Sequence, residues 1–276
     1  MLNADLTWLL ASCLCAGSLG VQGAETGFLD RNLVLQGQTY SYKVYVPTDY
    51  SAARDWPVIL YLHGAGERGQ DGLRQTMAGL GLAVRRSPQR YPAIIVFPQA
   101  RPESQWVGVQ SDMALAALTR TMAEFWVDAD RVYLTGLSMG GHGSWYLAYR
   151  YPERFAAVAP ICGWLKDLPS HKFSVPVVPE GDGPTLPALA QRLVSTPIWI
   201  FHGDLDPVVP VRCSREPAEA LQEVSAAVRY TEFPGLGHNS WDAAYASEAF
   251  CQWLFAQRRP RPGVIQLPNP PQIPQP

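Results

Sequence analysis

The sequence predicts an α/β fold, a mostly parallel central sheet with helices on both faces. Three observations predict it. The stretches WPVILYLHG (residues 56–64) and PAIIVFPQA (92–100) are unbroken apolar runs bounded by Pro and Gly, as strands buried on both faces require. Strand-like and helix-like segments alternate down to about residue 258, and repeated β-α-β order implies right-handed crossovers and parallel pairing. The chain of 276 residues, 47% hydrophobic, is long enough for one large domain with a sizeable core.

In chain order, residues 38–47 alternate polar and apolar β-formers, which predicts a half-exposed antiparallel strand. Residues 56–64 and 92–100 follow as buried strands, separated by a glycine-softened helix within 71–88. The helical spacing of apolar residues over 111–126 predicts the clearest helix, with Ser111 as its cap. A short strand over 131–136 precedes a helix over 139–150 that stops at Pro152. Strands at 155–163 and 196–204, a helix near 216–227, a strand at 228–235 and a last helix across 241–258 complete the series. Residues 164–191 contain five prolines and no clear period, which marks an irregular insertion and a candidate lid over the sheet's carboxyl edge. Residues 260–276 are Pro-rich and expected to be an extended tail outside the core.

The apolar run at 6–21, ending in QGAET, reads as a secretory signal peptide over residues 1–24, although its first residues carry no Lys or Arg. The expected location is therefore secreted or periplasmic, with the folded domain over 25–259. The LASC stretch ending at Cys13 resembles a lipoprotein cleavage box, and a membrane partner is expected only through lipidation there. The net charge of −2 with scattered Lys and Arg leaves no footprint for nucleic acid. Cys162, Cys213 and Cys251 match no zinc spacing and read as buried residues, so no metal and no cofactor are expected.

The chemistry centres on TGLSMGGHGSW (135–145), where Ser138 is flanked by Gly136 and Gly140. A nucleophilic serine at the end of a parallel strand needs a tight strand-to-helix turn, and that turn leaves no room for side chains two residues to either side. An oxyanion formed by attack at a carbonyl needs fixed N–H donors. The Met139 N–H, at the helix N-terminus, is one. The glycine-rich loop in YLHGAGERG (61–69) supplies the other, Ala65 first and Gly66 as the alternative. That loop lacks the Gly-Lys-Ser/Thr ending of a nucleotide-binding loop. Serine also needs a histidine base, and the base an orienting carboxylate. Downstream, HGDLDPVVP offers Asp204 and Asp206, and GLGHNSW offers His238, in the order Ser, acid, His. His63, His142, His171 and His202 lack that combination of order and a late, Gly-flanked loop.

These residues resemble the α/β-hydrolases, in particular the esterase branch that includes dienelactone-hydrolase-like, feruloyl-esterase-like and polyhydroxybutyrate-depolymerase-like enzymes and predicted secreted peptidases. The likeness is carried by YLHGAGERG, FPQARPESQW, GLSMGGHGSWYLAYRYPERFAAVAPICG, HGDLDPVVP and GLGHNSW, across about residues 40–255. It implies the α/β-hydrolase fold, and it implies Asp206 rather than Asp204 as the acid. His142 stands where relatives often carry a larger neutral residue, and the insertion at 164–191 has no match. Trp106, Trp164 and Trp241 fall in strand-end loops and are candidates for a substrate pocket.

The expectation is a serine hydrolase that cleaves carboxylic esters, small or linked to polysaccharide, such as short-chain, acetyl or feruloyl esters, through an acyl-enzyme. Peptide hydrolysis by the same triad is the nearest alternative. A non-catalytic binding module is the alternative from another class.

Overall fold

The computed structural model describes residues 25–166, 168 and 175–259. The expected signal peptide, the Pro-rich tail and His171 lie outside the described residues. One eight-stranded sheet runs through the molecule, from β1 (Gly27–Leu35), β2 (Gln38–Val46), β3 (Trp56–Leu62) and β4 (Ile94–Pro98) to β5 (Val127–Leu137), β6 (Ala157–Ile161), β7 (Ile198–Gly203) and β8 (Val228–Phe233). Their order across the sheet is β1-β2-β4-β3-β5-β6-β7-β8. The β1–β2 and β2–β4 pairs are antiparallel, and every pair from β4 through β8 is parallel. This is the α/β-hydrolase fold.

Strand periodicity divides the core. Val58, Leu60 and Leu62 of β3 face one layer, with α2 (Val109–Glu124), α3 (Met139–Arg150), α4 (Thr185–Leu193) and α5 (Arg212–Glu223). Ile59 and Tyr61 face the other, with α1 (Leu80–Arg86), α6 (Trp241–Ala246) and α7 (Glu248–Ala256). All seven residues of β3 and all five of β4 are buried, which is why these strands read as continuous apolar runs.

Several boundaries differ from expectation for local reasons. β1, GFLDRNLVL, carries too many polar residues to stand out, and its nine-residue antiparallel register with β2 holds it. β2 is buried along most of its length rather than half-exposed, because it lies between β1 and β4 under α2. The 71–88 segment yields only the seven-residue α1, since Gly79 at φ +55° reverses the chain before it. Gly108 at φ +54° does the same before α2, so that helix starts at Val109. Ser111 is not its cap, and the Ser111 hydroxyl donates to the Gly108 carbonyl. Helix α5 starts four residues before the expected position and carries Pro217 within it. The last helix is two: Ser247 breaks it and caps α7, accepting from the Phe250 N–H.

Much of the described part of the 164–191 insertion is packed into the protein. Val177 and Val178 are buried, and α4 packs against α3 and α5 through Leu189, Ala190 and Leu193. The α4 part of the candidate lid belongs to the helical layer. Cys162, Cys213 and Cys251 are free thiols. Among the described residues no helix is long and apolar enough to cross a membrane.

The chain leaves β3 towards β4 on one side, then crosses back to β5 on the other. This reversal of direction lies at the carboxyl ends of β3 and β5, the place where open α/β sheets bind ligands. There the chain backbones pack in direct contact. A Cβ on Gly140 would overlap the Leu62 carbonyl, and a Cβ on Gly136 would overlap the Gly140 carbonyl. Gly140→Ala should therefore cost about 1–3 kcal/mol in urea denaturation. Gly181→Ala, where nothing lies within 4 Å, should stay within about 0.5 kcal/mol.

Candidate active site

The sheet positions every candidate residue at one edge. Ser138 links β5 to α3 with φ 53° and ψ −115°, a left-handed conformation that a non-glycine residue adopts only when its surroundings impose it. Its N–H donates to the Ile161 carbonyl at 2.9 Å, and its carbonyl accepts from the His142 N–H at 3.0 Å. These bonds hold the turn from both sides, and the residue stays 7% exposed.

His238 follows β8 in the next-to-last loop. Its Nε2 lies 2.9 Å from the Ser138 Oγ, and its Nδ1 lies 2.7 Å from Asp206 Oδ2. The Asp206 carboxylate is fully buried, whereas the His238 ring is 19% exposed. Burial alone would raise the carboxyl. Hydrogen bonds from His202, His238 and the Val209 and Val208 N–H groups outweigh it and hold Asp206 well below the usual carboxylate range. Asp206 thus stays ionised beside the imidazole. Asp204, the other carboxylate in the loop, accepts from the Gly235 N–H at 2.7 Å and braces the loop that carries His238.

Met139 and Ala65 each open a helical turn, α3 and the 3-10 turn Ala65–Glu67, so their N–H groups have no acceptor within those turns. The loop bearing Ala65 is fixed from beneath. His63 is fully buried, with Nδ1 2.6 Å from the Gly64 carbonyl and Nε2 accepting from the Ala100 N–H at 3.0 Å. The His63 carbonyl accepts from the Trp106 indole N–H at 2.9 Å. A backbone donor on Nε2 makes Nδ1 the protonated nitrogen, a neutral tautomer. Burial pushes this imidazole down to about 4.

The three tryptophans part company. Trp106 and Trp164 are fully buried and do not line an open pocket as expected. Trp106 packs under the 61–69 loop beside His63, which it meets edge-on. Trp164 stacks on His142 at 4.9 Å between ring centroids, and its carbonyl lies 3.0 Å from His142 Nδ1. Trp241, at the start of α6, is part-exposed and stands perpendicular to His238 at 5.3 Å. Of the three, only Trp241 is placed to meet a substrate.

Two residues that the motifs did not single out join the cluster. His202, at the end of β7, contacts Asp206 Oδ2, the oxygen that His238 also meets. The buried Cys162 thiol, at the end of β6, lies within 4.8 Å of ligand atoms on Asp206 and His238, a trio with the chemistry of a metal site whose acid and base are already bonded to each other. The HGD tripeptide was the available signal for His202. Nothing in VAPICG pointed to Cys162.

An α/β-hydrolase fold with a serine on a strained strand-to-helix turn, hydrogen-bonded through histidine to a buried aspartate, defines the class. The chain belongs to the phospholipase/carboxylesterase family, whose profile matches residues 82–247. It is 33% identical to a thermostable esterase of known structure, with TM-score 0.69, covering 84% of this chain and 63% of that one. A ferulic acid esterase of Anaeromyces mucronatus superposes with TM-score 0.62 at 20% identity, covering 86% of this chain and 92% of that one, a likeness of fold. An uncharacterized secreted protein of Arthroderma benhamiae is 26% identical over 85% of this chain and 27% of its own length. Acyl-protein thioesterase 1 of Neurospora crassa is 30% identical over 41% of this chain and 42% of its own. The chain thus spans about a quarter to under a half of these two curated relatives.

The low value for His63 has a thermodynamic consequence. The unfolded chain takes up a proton near the ordinary 6.5 and the folded protein only near 4, so the unfolded state binds more protons between these values. The stability from this residue is complete above about pH 6.5 and lost as pH falls towards 4, by up to about 3 kcal/mol. Urea melts at pH 7 and pH 4.5 should show this loss, and it should be smaller in His63→Gln.

Proposed function

We propose that this protein is a serine hydrolase that cleaves carboxylic esters through an acyl-enzyme, with Ser138 as nucleophile, His238 as base and Asp206 as orienting acid. The observation that carries the reading is the continuous chain from the Ser138 Oγ through His238 to the ionised Asp206, with distances of 2.9 and 2.7 Å. Membership of a phospholipase/carboxylesterase family and the identity with a thermostable esterase support it.

In the first half-reaction the Ser138 Oγ attacks the ester carbonyl carbon as its proton passes to His238 Nε2. Asp206 stabilises the imidazolium through the Nδ1–H. The negative charge on the former carbonyl oxygen meets the N–H groups of Met139 and Ala65, each worth about 3–4 kcal/mol of barrier. The tetrahedral intermediate collapses, the carbon–oxygen bond to the alcohol breaks, and the alcohol leaves with the proton from Nε2. Water then gives its proton to the same nitrogen and attacks the acyl carbon, releasing the acid and restoring Ser138. No step needs a cofactor.

Trp241, beside His238, is the side chain assigned to the substrate pocket, where an aromatic face suits a small acyl or aryl group. Short-chain or aryl esters, free or attached to polysaccharide, are the substrates in this reading. Export from the cytoplasm belongs to the same proposal and is supported by the relative named as a secreted protein.

Nitrophenyl esters of increasing acyl length, with methyl ferulate alongside, test the activity. Turnover should favour the short or aryl members, fall at least about 10³-fold in Ser138→Ala, and fall by about 10³–10⁴-fold in Asp206→Asn. A fluorophosphonate should label the protein and not Ser138→Ala. Labelling without turnover of any ester would favour peptide hydrolysis, and absence of labelling would overturn the catalytic reading.

A further inference from the structure

His202 is a second histidine on the proposed catalytic acid. Its ring is fully buried at the end of β7, four residues before Asp206. Nε2 lies 3.1 Å from Asp206 Oδ2 and 2.9 Å from the Val209 carbonyl. Both of those atoms only accept, so Nε2 carries a proton. Nδ1 lies 2.6 Å from the Ser214 hydroxyl on α5, which is itself buried. The ring is pinned at both nitrogens, and it cannot flip without stranding Asp206, Val209 and Ser214 together.

Every lone-pair direction of Asp206 is then accounted for. Oδ1 accepts from the Val208 and Val209 N–H groups at 2.8 and 2.9 Å, and Oδ2 accepts from His202 and His238. The two backbone donors hold one oxygen but leave the carboxylate plane free to tilt about it. A second fixed donor on Oδ2 removes that freedom. Among the described residues, His202 is the group besides His238 that bonds this oxygen.

Building on the triad reading, we propose that His202 is a positioning residue. It aims Asp206 Oδ2 at His238 Nδ1, and Ser214 on α5 holds His202 in place. A carboxylate that tilts away would stabilise the imidazolium less in the transition state, without altering the ground-state contacts of the substrate.

The charged groups that face His202 are Asp206 itself and Glu232, which pairs with His202 in the β7–β8 register and forms an ion pair with Arg215 of α5. The Cys162 thiol lies within 4.8 Å of ligand atoms on Asp206 and His238, and burial keeps it protonated.

The test uses the full chain, with active sites titrated by a fluorophosphonate so that rates are expressed per labelled serine. His202→Ala should lower kcat by roughly 10- to 100-fold with KM within about threefold. The acid-side midpoint of its kcat/KM profile should move down, because a loosened carboxylate holds the proton on His238 less well. His202→Gln, whose amide N–H reaches a similar place, should restore most of both. Ser214→Ala should give a smaller change in the same direction, and it carries the test if His202→Ala does not fold. An unchanged kcat per labelled site with an unmoved midpoint would overturn the proposal. So would a midpoint that moves up, since it would make His202 a competitor for the carboxylate rather than its guide. Failure of the triad reading looks different: wild-type Ser138 would take no label.

Discussion

The contact between the Leu62 carbonyl and the bare Cα of Gly140 sets the geometry of the whole carboxyl edge. Because neither residue places a side chain there, the end of β3 and the start of α3 press together. That approach brings the end of β3, from which the turn bearing Ala65 follows, against the start of α3, which follows Ser138. The left-handed serine is the conformational cost, of order 1–3 kcal/mol, and surrounding bonds to Ile161 and His142 maintain it. Under the proposed function, N–H donors of Met139 and Ala65 fixed in this way would need no rearrangement when charge develops, which is the condition for strong electrostatic stabilisation.

Four of the five histidines lie among the described residues, and their ring partners separate them better than their positions in the chain do. His63 joins the ends of β3 and β4 by accepting one backbone N–H and meeting one carbonyl. His142 stacks on Trp164 within the helical layer. His202 meets a carboxylate, a carbonyl and a hydroxyl inside the protein. His238 differs from all three in being part-exposed with one nitrogen on the serine, so a substrate can reach it. Burial encloses three of these imidazoles, and His238 is the part-exposed one among the described histidines.

Much of this was legible because the informative features are local. The elbow glycines, the HGD turn and the GLGHNSW loop each announce a backbone requirement within a few residues, and buried parallel strands show as unbroken apolar runs. What escaped the sequence depends on distant partners. β1 is a strand because β2 lies beside it, and its own residues do not demand it. Trp106 looked like a pocket wall because it sits in a strand-end loop. Its burial follows from packing against Gly143 of α3, where a Cβ would strike the indole side chain. The break between α6 and α7 rests on one serine capping the second helix, a signal too short to outweigh continuous helical periodicity. His202 could be seen as a strand-end histidine, but only the folded loop shows that it meets the same oxygen as His238.

Position in the sheet also divides the site into a rigid part and a yielding one. Ser138 and the loop after β3 belong to inner strands buried on both faces, whereas His238 hangs from β8, the last strand, bonded on one side only and part-exposed along its length. Edge segments with few buried contacts open at lower free energy than central ones. Under the proposed function, opening of β8 would withdraw His238 as base while Ser138 and the loop bearing Ala65 stayed in register. A small local excursion at β8 would then leave the molecule folded yet silent, and the fraction of time spent there would set a ceiling on turnover that no improvement in the chemistry itself could lift.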